Sequence, residues 1–109
     1  MSQKYQVQYS PSALSDLRNT YSYIAFHLKE VRTAKNQVRR IRNAIADLSS
    51  FPSRYPPVLW EPWNGKGLHK LPVDRYVVHY LVNDEEHMVN IVRIFYGGRD
   101  AERLLQEPH

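Results

Sequence analysis

The sequence predicts an α+β domain in which a strand and two helices are followed by three strands and a short terminal helix. Three observations support this order: an alternating segment near the N-terminus, two consecutive segments with helical spacing, and three strand-like segments joined by short turns. The two amphipathic helices are separated by a short link, so we expect a helical hairpin packed on one face of a mostly antiparallel sheet. At 109 residues the chain has the length of one domain, spanning residues 1–109.

The N-terminal segment predicts a strand that leads directly into a helix. Residues 4–9 place Tyr5, Val7 and Tyr9 on one face and polar residues on the other, which is typical of a half-buried strand. Ser10 can cap a helix and Pro11 suits its first position. The predicted buried stripe of this helix is Leu14, Leu17, Tyr21, Ile24 and Leu28.

The second helix carries an apolar stripe and, beside it, a row of cations. The stripe consists of Val31, Ala34, Val38, Ile41, Ile45 and Leu48. The row consists of Arg32, Lys35, Arg39 and Arg42, spaced so that all four lie on one flank. Such a row is either a solvated face or a contact for phosphates or an acidic partner.

Residues 49–67 predict a long loop, because six prolines and glycines within this segment exclude regular helix and any central strand. They are Pro52, Pro56, Pro57, Pro62, Gly65 and Gly67. Its aromatic residues are Phe51, Tyr55, Trp60 and Trp63. They predict either a lid packed over the core or an exposed recognition surface, and the role of the loop stays open.

The C-terminal part predicts three strands, at residues 68–73, 76–82 and 89–96, with a hairpin turn at 83–86. Gly97 and Gly98 end the last strand, and residues 101–106 predict a short helix. Arg99 and Asp100 follow the glycines at an exposed rim, where an arginine can bind phosphate or carboxylate, or where the two can neutralise each other.

Composition excludes several classes of function. The chain has no cysteine, and its five histidines lack metal-ligand spacing, so we expect no metal and no cofactor. Nucleophile elbows and phosphate-binding loops are missing from the sequence. Because we find neither a membrane-spanning run nor a signal segment, we expect a cytoplasmic protein with no membrane partner. The net charge of +4 and pI near 9.5 favour acidic partners.

Four segments together resemble the RelE/ParE superfamily of bacterial type II toxins. They are residues 9–17 (YSPSALSDL), residues 41–48 leading into Phe51-Pro52, residues 71–80 (LPVDRYVVHY) and residues 92–100 (VRIFYGGRD). The resemblance covers nearly the whole chain. It implies a growth-inhibiting toxin that is neutralised by a cognate antitoxin with an acidic, partly disordered chain. The row Arg32, Lys35, Arg39 and Arg42 is our candidate antitoxin contact.

The superfamily implies two mechanisms, of which the first is cleavage of mRNA on the ribosome. Lys70 and Arg99 match the basic residues of that pattern, whereas Val77 stands where a central arginine belongs and Leu105 where a tyrosine often lies. An aliphatic side chain cannot stabilise a phosphorane. His69, Arg75 and His79 are candidates to compensate, as a displaced basic cluster in which Arg75, Val77 and His79 share one face of a strand.

The second mechanism is poisoning of DNA gyrase by binding, for which the resemblance implies no catalytic set. Its pattern includes the pair Arg99 and Asp100 followed by Leu104 and Leu105. We therefore favour a ParE-like poison whose target-binding residues are Tyr96, Arg99 and Asp100. A ribosome-dependent mRNA endonuclease and an interaction module without toxicity are the alternatives.

Overall fold

A sheet with a helical hairpin on one face forms the protein in the computed structural model, which describes residues 4–59, 61–97 and 105. Within these residues the strands are β1 (Gln6–Tyr9), β2 (Leu68–Val73), β3 (Tyr76–Asn83) and β4 (Met88–Tyr96), in the order β1-β4-β3-β2. The helices are α1 (Pro11–Ser22), α2 (Val31–Ala46) and the short α3 (Trp63–Lys66). β1 is parallel to β4 and the other pairs are antiparallel, which confirms the predicted fold class.

The junction between β1 and α1 is fixed by Ser10, as the sequence predicts. Its hydroxyl oxygen accepts a hydrogen bond from the Ala13 N–H at 2.9 Å and donates one to the Val92 carbonyl at 2.7 Å. Its own N–H donates to the Ile91 carbonyl at 2.9 Å. One residue therefore caps α1 and attaches the start of that helix to β4.

The buried face of α1 differs from the predicted stripe. Ala13, Leu17 and Ile24 are buried, whereas Leu14 is 39% exposed and Leu28 is 53% exposed. The methyl group of Ala13 lets the helix approach the sheet closely, and this turns Leu14 outward. Beyond Ser22 the chain continues as a π-helical turn (Tyr23–His27), whose extra residue per turn breaks the α-helical spacing that placed Leu28 inside.

The stripe of α2 is largely confirmed. Ala34, Ile41, Ile45 and Leu48 are fully buried, and Val38 is partly buried. Val31 is 47% exposed, because it begins the helix directly after the turn of the hairpin.

Both faces of the sheet are covered. On the helix side, Leu17, Ile41 and Ile45 pack against strand residues that include Val78, Tyr80 and Ile91. On the other side the core consists of Val58, Trp63, Leu68, Val92, Phe95 and Leu105. The loop thus forms part of the second core.

The prediction that the loop contains no regular helix is wrong. α3 forms a single helical turn, which ends at Gly67 in a left-handed conformation with φ 77°. Trp63 on this turn is 9% exposed, whereas Phe51 is 64% exposed, so the loop aromatics divide between core and surface. Trp60 lies outside the described residues.

A bulge in β4 changes which residues share a face. His79 pairs with Arg93 but Tyr80 pairs with Ile91, so Val92 is an extra residue on β4. As a result Ile91 and Ile94, three residues apart, both contact the helix-side core.

The remaining differences are at element ends. β1 begins two residues later than predicted because the Tyr5 N–H bonds to the Ser49 carbonyl. The predicted terminal helix lies outside the described residues except for Leu105, which is 1% exposed. No helix in residues 4–59, 61–97 and 105 is both long and apolar enough to cross a bilayer.

Candidate functional site

One end of the sheet forms a rim, which we define as Arg75, Tyr76, Tyr96 and Gly97. The β2–β3 turn brings the Arg75 carbonyl against the end of β4, where it accepts a hydrogen bond from the Gly97 N–H at 2.5 Å. A Cβ on residue 97 would lie 2.8 Å from that carbonyl oxygen. Only glycine allows this approach, so the contact between the β2–β3 turn and the end of β4 requires Gly97.

The side chains of the rim are aromatic and cationic. The rings of Tyr76 and Tyr96 meet edge to face with centroids 5.3 Å apart, and Tyr96 is 45% exposed. A hydrogen bond with the Tyr96 hydroxyl raises the pKa of the Arg75 guanidinium. The expectation that Arg75 belongs to the strand of Val77 is wrong, because Arg75 lies in the turn before β3.

A cleft of about 920 Å³ opens between the rim and the helical hairpin. Its lining includes Tyr23, Ile24 and Leu28 from the hairpin, Gln37 and Arg40 from α2, and Asp74, Arg75, Tyr76 and Tyr96 from the sheet end. The turn that joins the two helices of the hairpin also exposes large apolar side chains, namely Tyr23, Phe26, Leu28 and Val31. Such a mixed surface suits contact with another protein.

Asp74 connects the two walls of the cleft. Its Oδ2 accepts hydrogen bonds from Arg40 Nε at 2.8 Å and from Gln37 Nε2 at 3.0 Å. These bonds, first that of Arg40 and then that of Gln37, lower the pKa of the Asp74 carboxyl. Sequence reasoning missed this contact, since the only local signal is an aspartate in a tight turn, where it adopts φ 56°.

His79 is buried instead of lining an open catalytic face. It is 3% exposed, packs against the Phe95 ring with centroids 5.4 Å apart, and lies opposite Lys70 in the strand register. Burial, with smaller contributions from Lys70 and Arg93, lowers the pKa of His79 to about 4. The imidazole is therefore neutral at pH 7.

The basic cluster of His69, Arg75 and His79 is not assembled. His69 pairs with Tyr80 and stacks on its ring, so it lies on the opposite face of the sheet from His79 and Val77. Its Nδ1 is 2.8 Å from the Tyr55 carbonyl, which places the proton on Nδ1. Arg75 lies at the rim. Lys70 is exposed beside His79, and Arg99 and Asp100 lie outside the described residues.

The basic row on α2 has the predicted geometry, since Arg32, Lys35, Arg39 and Arg42 are all exposed. Arg39 bonds to Asn36, and the Arg42 guanidinium lies 5.5 Å from the Tyr9 ring centroid. Within the part of the chain that the structure describes, no three His, Asp or Glu side chains are grouped as a metal site requires.

Solved structures of toxin–antitoxin proteins share this fold. A chromosomal ParDE system from P. aeruginosa aligns with a TM-score of 0.71 at 18% identity, over 88% of this chain and 99% of that one. The RelBE2 complex from Mycobacterium tuberculosis gives 0.61 at 22% identity, over 91% and 98%. A double mutant of free E. coli toxin RelE gives 0.64 at 17% identity, over 95% and 93%.

The fold is therefore that of the RelE/ParE superfamily. The family model for the ParE toxin of type II toxin-antitoxin system parDE matches residues 7–101. This chain belongs to the ParE toxin family. A search of curated protein sequences gave no match.

Proposed function

We propose that this protein arrests bacterial growth in the cytoplasm by binding DNA gyrase, and that a cognate antitoxin with an acidic, partly disordered segment neutralises it. The observation that carries the proposal is the surface beside the rim: a cleft lined by aromatic, apolar and cationic groups next to exposed Tyr96. Membership of the ParE toxin family supports the same mechanism.

The chemistry of β3 argues against phosphodiester cleavage. Val77 provides no charge where the resemblance calls for arginine, and His79 on the same face is neutral at pH 7 because its pKa is about 4. Loss of one charged donor from such a site costs about 3 kcal/mol, or roughly a hundredfold in rate. His69 and Arg75 lie elsewhere, so they cannot fill the gap at Val77.

A purified gyrase assay tests the proposal. We expect the wild-type protein to accumulate cleaved DNA with gyrase and to cut no mRNA in a translating extract. Arg99→Ala should abolish growth arrest and DNA cleavage with nearly unchanged thermal stability, because an arginine two residues after Gly97 in the sequence can bind carboxylate or phosphate on the target. Lys70→Ala, on the strand face away from the rim, is the matched control and should retain both activities.

The competing function is ribosome-dependent mRNA cleavage, which the exposed position of Lys70 favours. In that case the wild-type protein would cut mRNA, Lys70→Ala would remove cutting, and Val77→Arg would raise it. Intact mRNA together with uninhibited gyrase would refute both functions and leave an interaction module.

The antitoxin part of the proposal has its own test. Because the row Arg32, Lys35, Arg39 and Arg42 is exposed, association with an acidic antitoxin should slow as ionic strength rises. Stopped-flow rates at low and high salt measure this, and a rate independent of salt would contradict the assignment of the row.

A further inference from the structure

The outward face of α2 is cationic over its whole length. Helical spacing places seven residues on this face, opposite the buried Ala34, Ile41 and Ile45. They are Arg32, Lys35, Asn36, Arg39, Arg42, Asn43 and Ala46, and we call them the basic face. Glu30 and Asp47 flank the helix, but Val31–Ala46 contains no acidic residue. The basic face therefore presents four positive charges and two amide groups with no carboxylate among them.

Contacts within the protein orient these cations without neutralising them. The Arg39 guanidinium donates a hydrogen bond to the Asn36 side-chain oxygen, and the Arg42 guanidinium lies 5.5 Å from the Tyr9 ring centroid. Both partners are uncharged, so the guanidinium groups keep their charge. Within residues 4–59, 61–97 and 105, neither ion pair between side chains includes any of the four cations. Their charge is therefore available to an external anion.

The length of the basic face suits the backbone of a nucleic-acid duplex. Arg32 to Arg42 spans ten residues, or about 15 Å along a straight helix. Each strand of B-DNA has one phosphate per about 3.4 Å of helix axis, so four cations over this distance can meet about four phosphates. Val31–Ala46 contains no aromatic residue, whereas proteins that bind single strands stack the bases on aromatic side chains. The face thus favours the phosphates of a duplex over the bases of a single strand.

We propose that the basic face binds the phosphate backbone of duplex DNA without sequence preference. The proposal rests on the proposed function for which DNA is bound, namely the segment that gyrase holds. The toxin then contacts the enzyme at the rim and the DNA through α2, and release of counterions from the phosphates favours the contact. The same row of cations is our candidate antitoxin contact, so DNA and an acidic antitoxin exclude each other on this face.

Fluorescence anisotropy with the full chain and a labelled DNA duplex of 20 base pairs tests the proposal directly. Four phosphate contacts predict that log K falls with log salt concentration at a slope of about −3.6, so the affinity should drop about twelvefold between 50 and 100 mM NaCl. Duplexes of different sequence should bind within about twofold of each other. An affinity independent of salt would overturn the proposal. Tighter binding of single-stranded DNA, of duplex RNA or of a 20-residue glutamate peptide would also overturn it.

Single substitutions locate the contact on the protein. Arg39→Gln and Arg42→Gln each remove one phosphate contact, so each should reduce the salt slope by about 1 and weaken binding about fivefold. Arg39→Lys keeps the charge and should bind within about twofold of the wild-type protein. Lys66→Gln is the matched control, because it removes one charge from an exposed lysine that lies over the Trp63 ring, in the core on the opposite face of the sheet. Equal losses of affinity in Lys66→Gln and Arg39→Gln, with both folded by thermal melting, would show that net charge alone attracts DNA and would overturn the proposal.

The binding measurement uses no gyrase, so its result is separate from the proposed function. If the protein bound duplex DNA through the basic face but accumulated no cleaved DNA with gyrase, the toxin proposal would fall and the DNA contact would stand. If it poisoned gyrase but bound no duplex, the DNA contact would be refuted and the toxin proposal would stand. With both intact, Arg39→Gln combined with Arg42→Gln should accumulate cleaved DNA only at about tenfold higher protein concentration. Accumulation at the wild-type concentration would refute binding of the DNA that gyrase holds.

Discussion

The Asp16 carboxylate on α1 binds the Arg93 guanidinium on β4 through two hydrogen bonds, of 2.9 and 3.1 Å. The Asp16 Oδ2 atom also accepts a hydrogen bond from the Ile94 N–H at 2.9 Å. Among the strands that the structure describes, none pairs with β4 on this side beyond Ile91, and the Asp16 carboxylate accepts a hydrogen bond from the Ile94 N–H instead. The Arg93 guanidinium in turn lies 4.7 Å from the Phe95 ring centroid, so this contact joins α1 to the second core.

Removal of this carboxylate should strongly destabilise the protein. The side chains of Arg93 and Asp16 are only 14% and 12% exposed, so Asp16→Ala leaves a mostly buried cation and an unsatisfied N–H. We expect a loss of about 3 kcal/mol in the free energy of unfolding, measured by urea denaturation. Arg40→Gln breaks the exposed pair with Asp74 and should cost under about 1 kcal/mol. Equal losses of unfolding free energy in the two variants would contradict the prediction that the buried pair contributes more to stability than the exposed one.

The Tyr80 hydroxyl should contribute to stability through the loop. It donates a hydrogen bond to the Pro52 carbonyl, and burial raises the pKa of Tyr80 to about 12. Tyr80→Phe leaves that carbonyl without its buried donor, so we expect a loss of about 1–2 kcal/mol in thermal or urea unfolding. Tyr5→Phe is the control, since its hydroxyl bonds to Asp84 at an exposed site, and its loss should be within about 0.5 kcal/mol.

Stability should fall between pH 7 and pH 5 because of His79. Its pKa is about 4 in the folded protein and 6.5 ordinarily, so the unfolded chain binds more protons over this interval. Linkage gives a decrease of about 2 kcal/mol in the free energy of unfolding from pH 7 to pH 5. His79→Gln should flatten that slope. The lowered pKa of Asp74 acts in the same direction only below about pH 4, so Asp74→Asn should leave the slope unchanged.

Gly97→Ala should disturb the rim. The added Cβ would meet the Arg75 carbonyl oxygen at 2.8 Å, and backbone must move to relieve the contact. We expect a loss of about 1–3 kcal/mol in unfolding free energy and a shift in the Tyr96 ring resonances. In Gly65→Ala the nearest atom is a flexible Glu61 carboxylate oxygen at 3.2 Å, so that variant should melt like wild type. An unchanged Tyr96 spectrum in Gly97→Ala would show that the rim tolerates the methyl group.

Local signals in the sequence predict most of the fold. The bounds of β2 and the start of α1 are determined by alternation and by the pair Ser10 and Pro11, which act within a few residues. The parallel pairing of β1 with β4 depends on contacts across almost the whole chain. The bond between Asp16 and Arg93 also joins distant positions, and the spacing of residues along the sequence gives no sign of it.

The candidate site is harder to predict because burial depends on distant elements. Alternation correctly places Val77 and His79 on one face of β3, but it cannot show that Phe95 covers His79. Alternation also cannot show that β3 begins only at Tyr76. Arg75 therefore lies in the preceding turn, at the rim. The basic row on α2 is predicted well because helical spacing alone determines it.

The neighbouring positions of β1 and β4 also govern when the fold can exist during protein synthesis. β1 has no strand partner until residues 88–91 have been made, and α1 is attached to the sheet through Val92, Arg93 and Ile94. A nascent chain that stops earlier can form the helical hairpin and the antiparallel pair β2–β3, but it lacks the rim and leaves β1 unpaired. The proposed activity therefore requires translation at least through Gly97, and chains interrupted earlier lack the surface on which it depends.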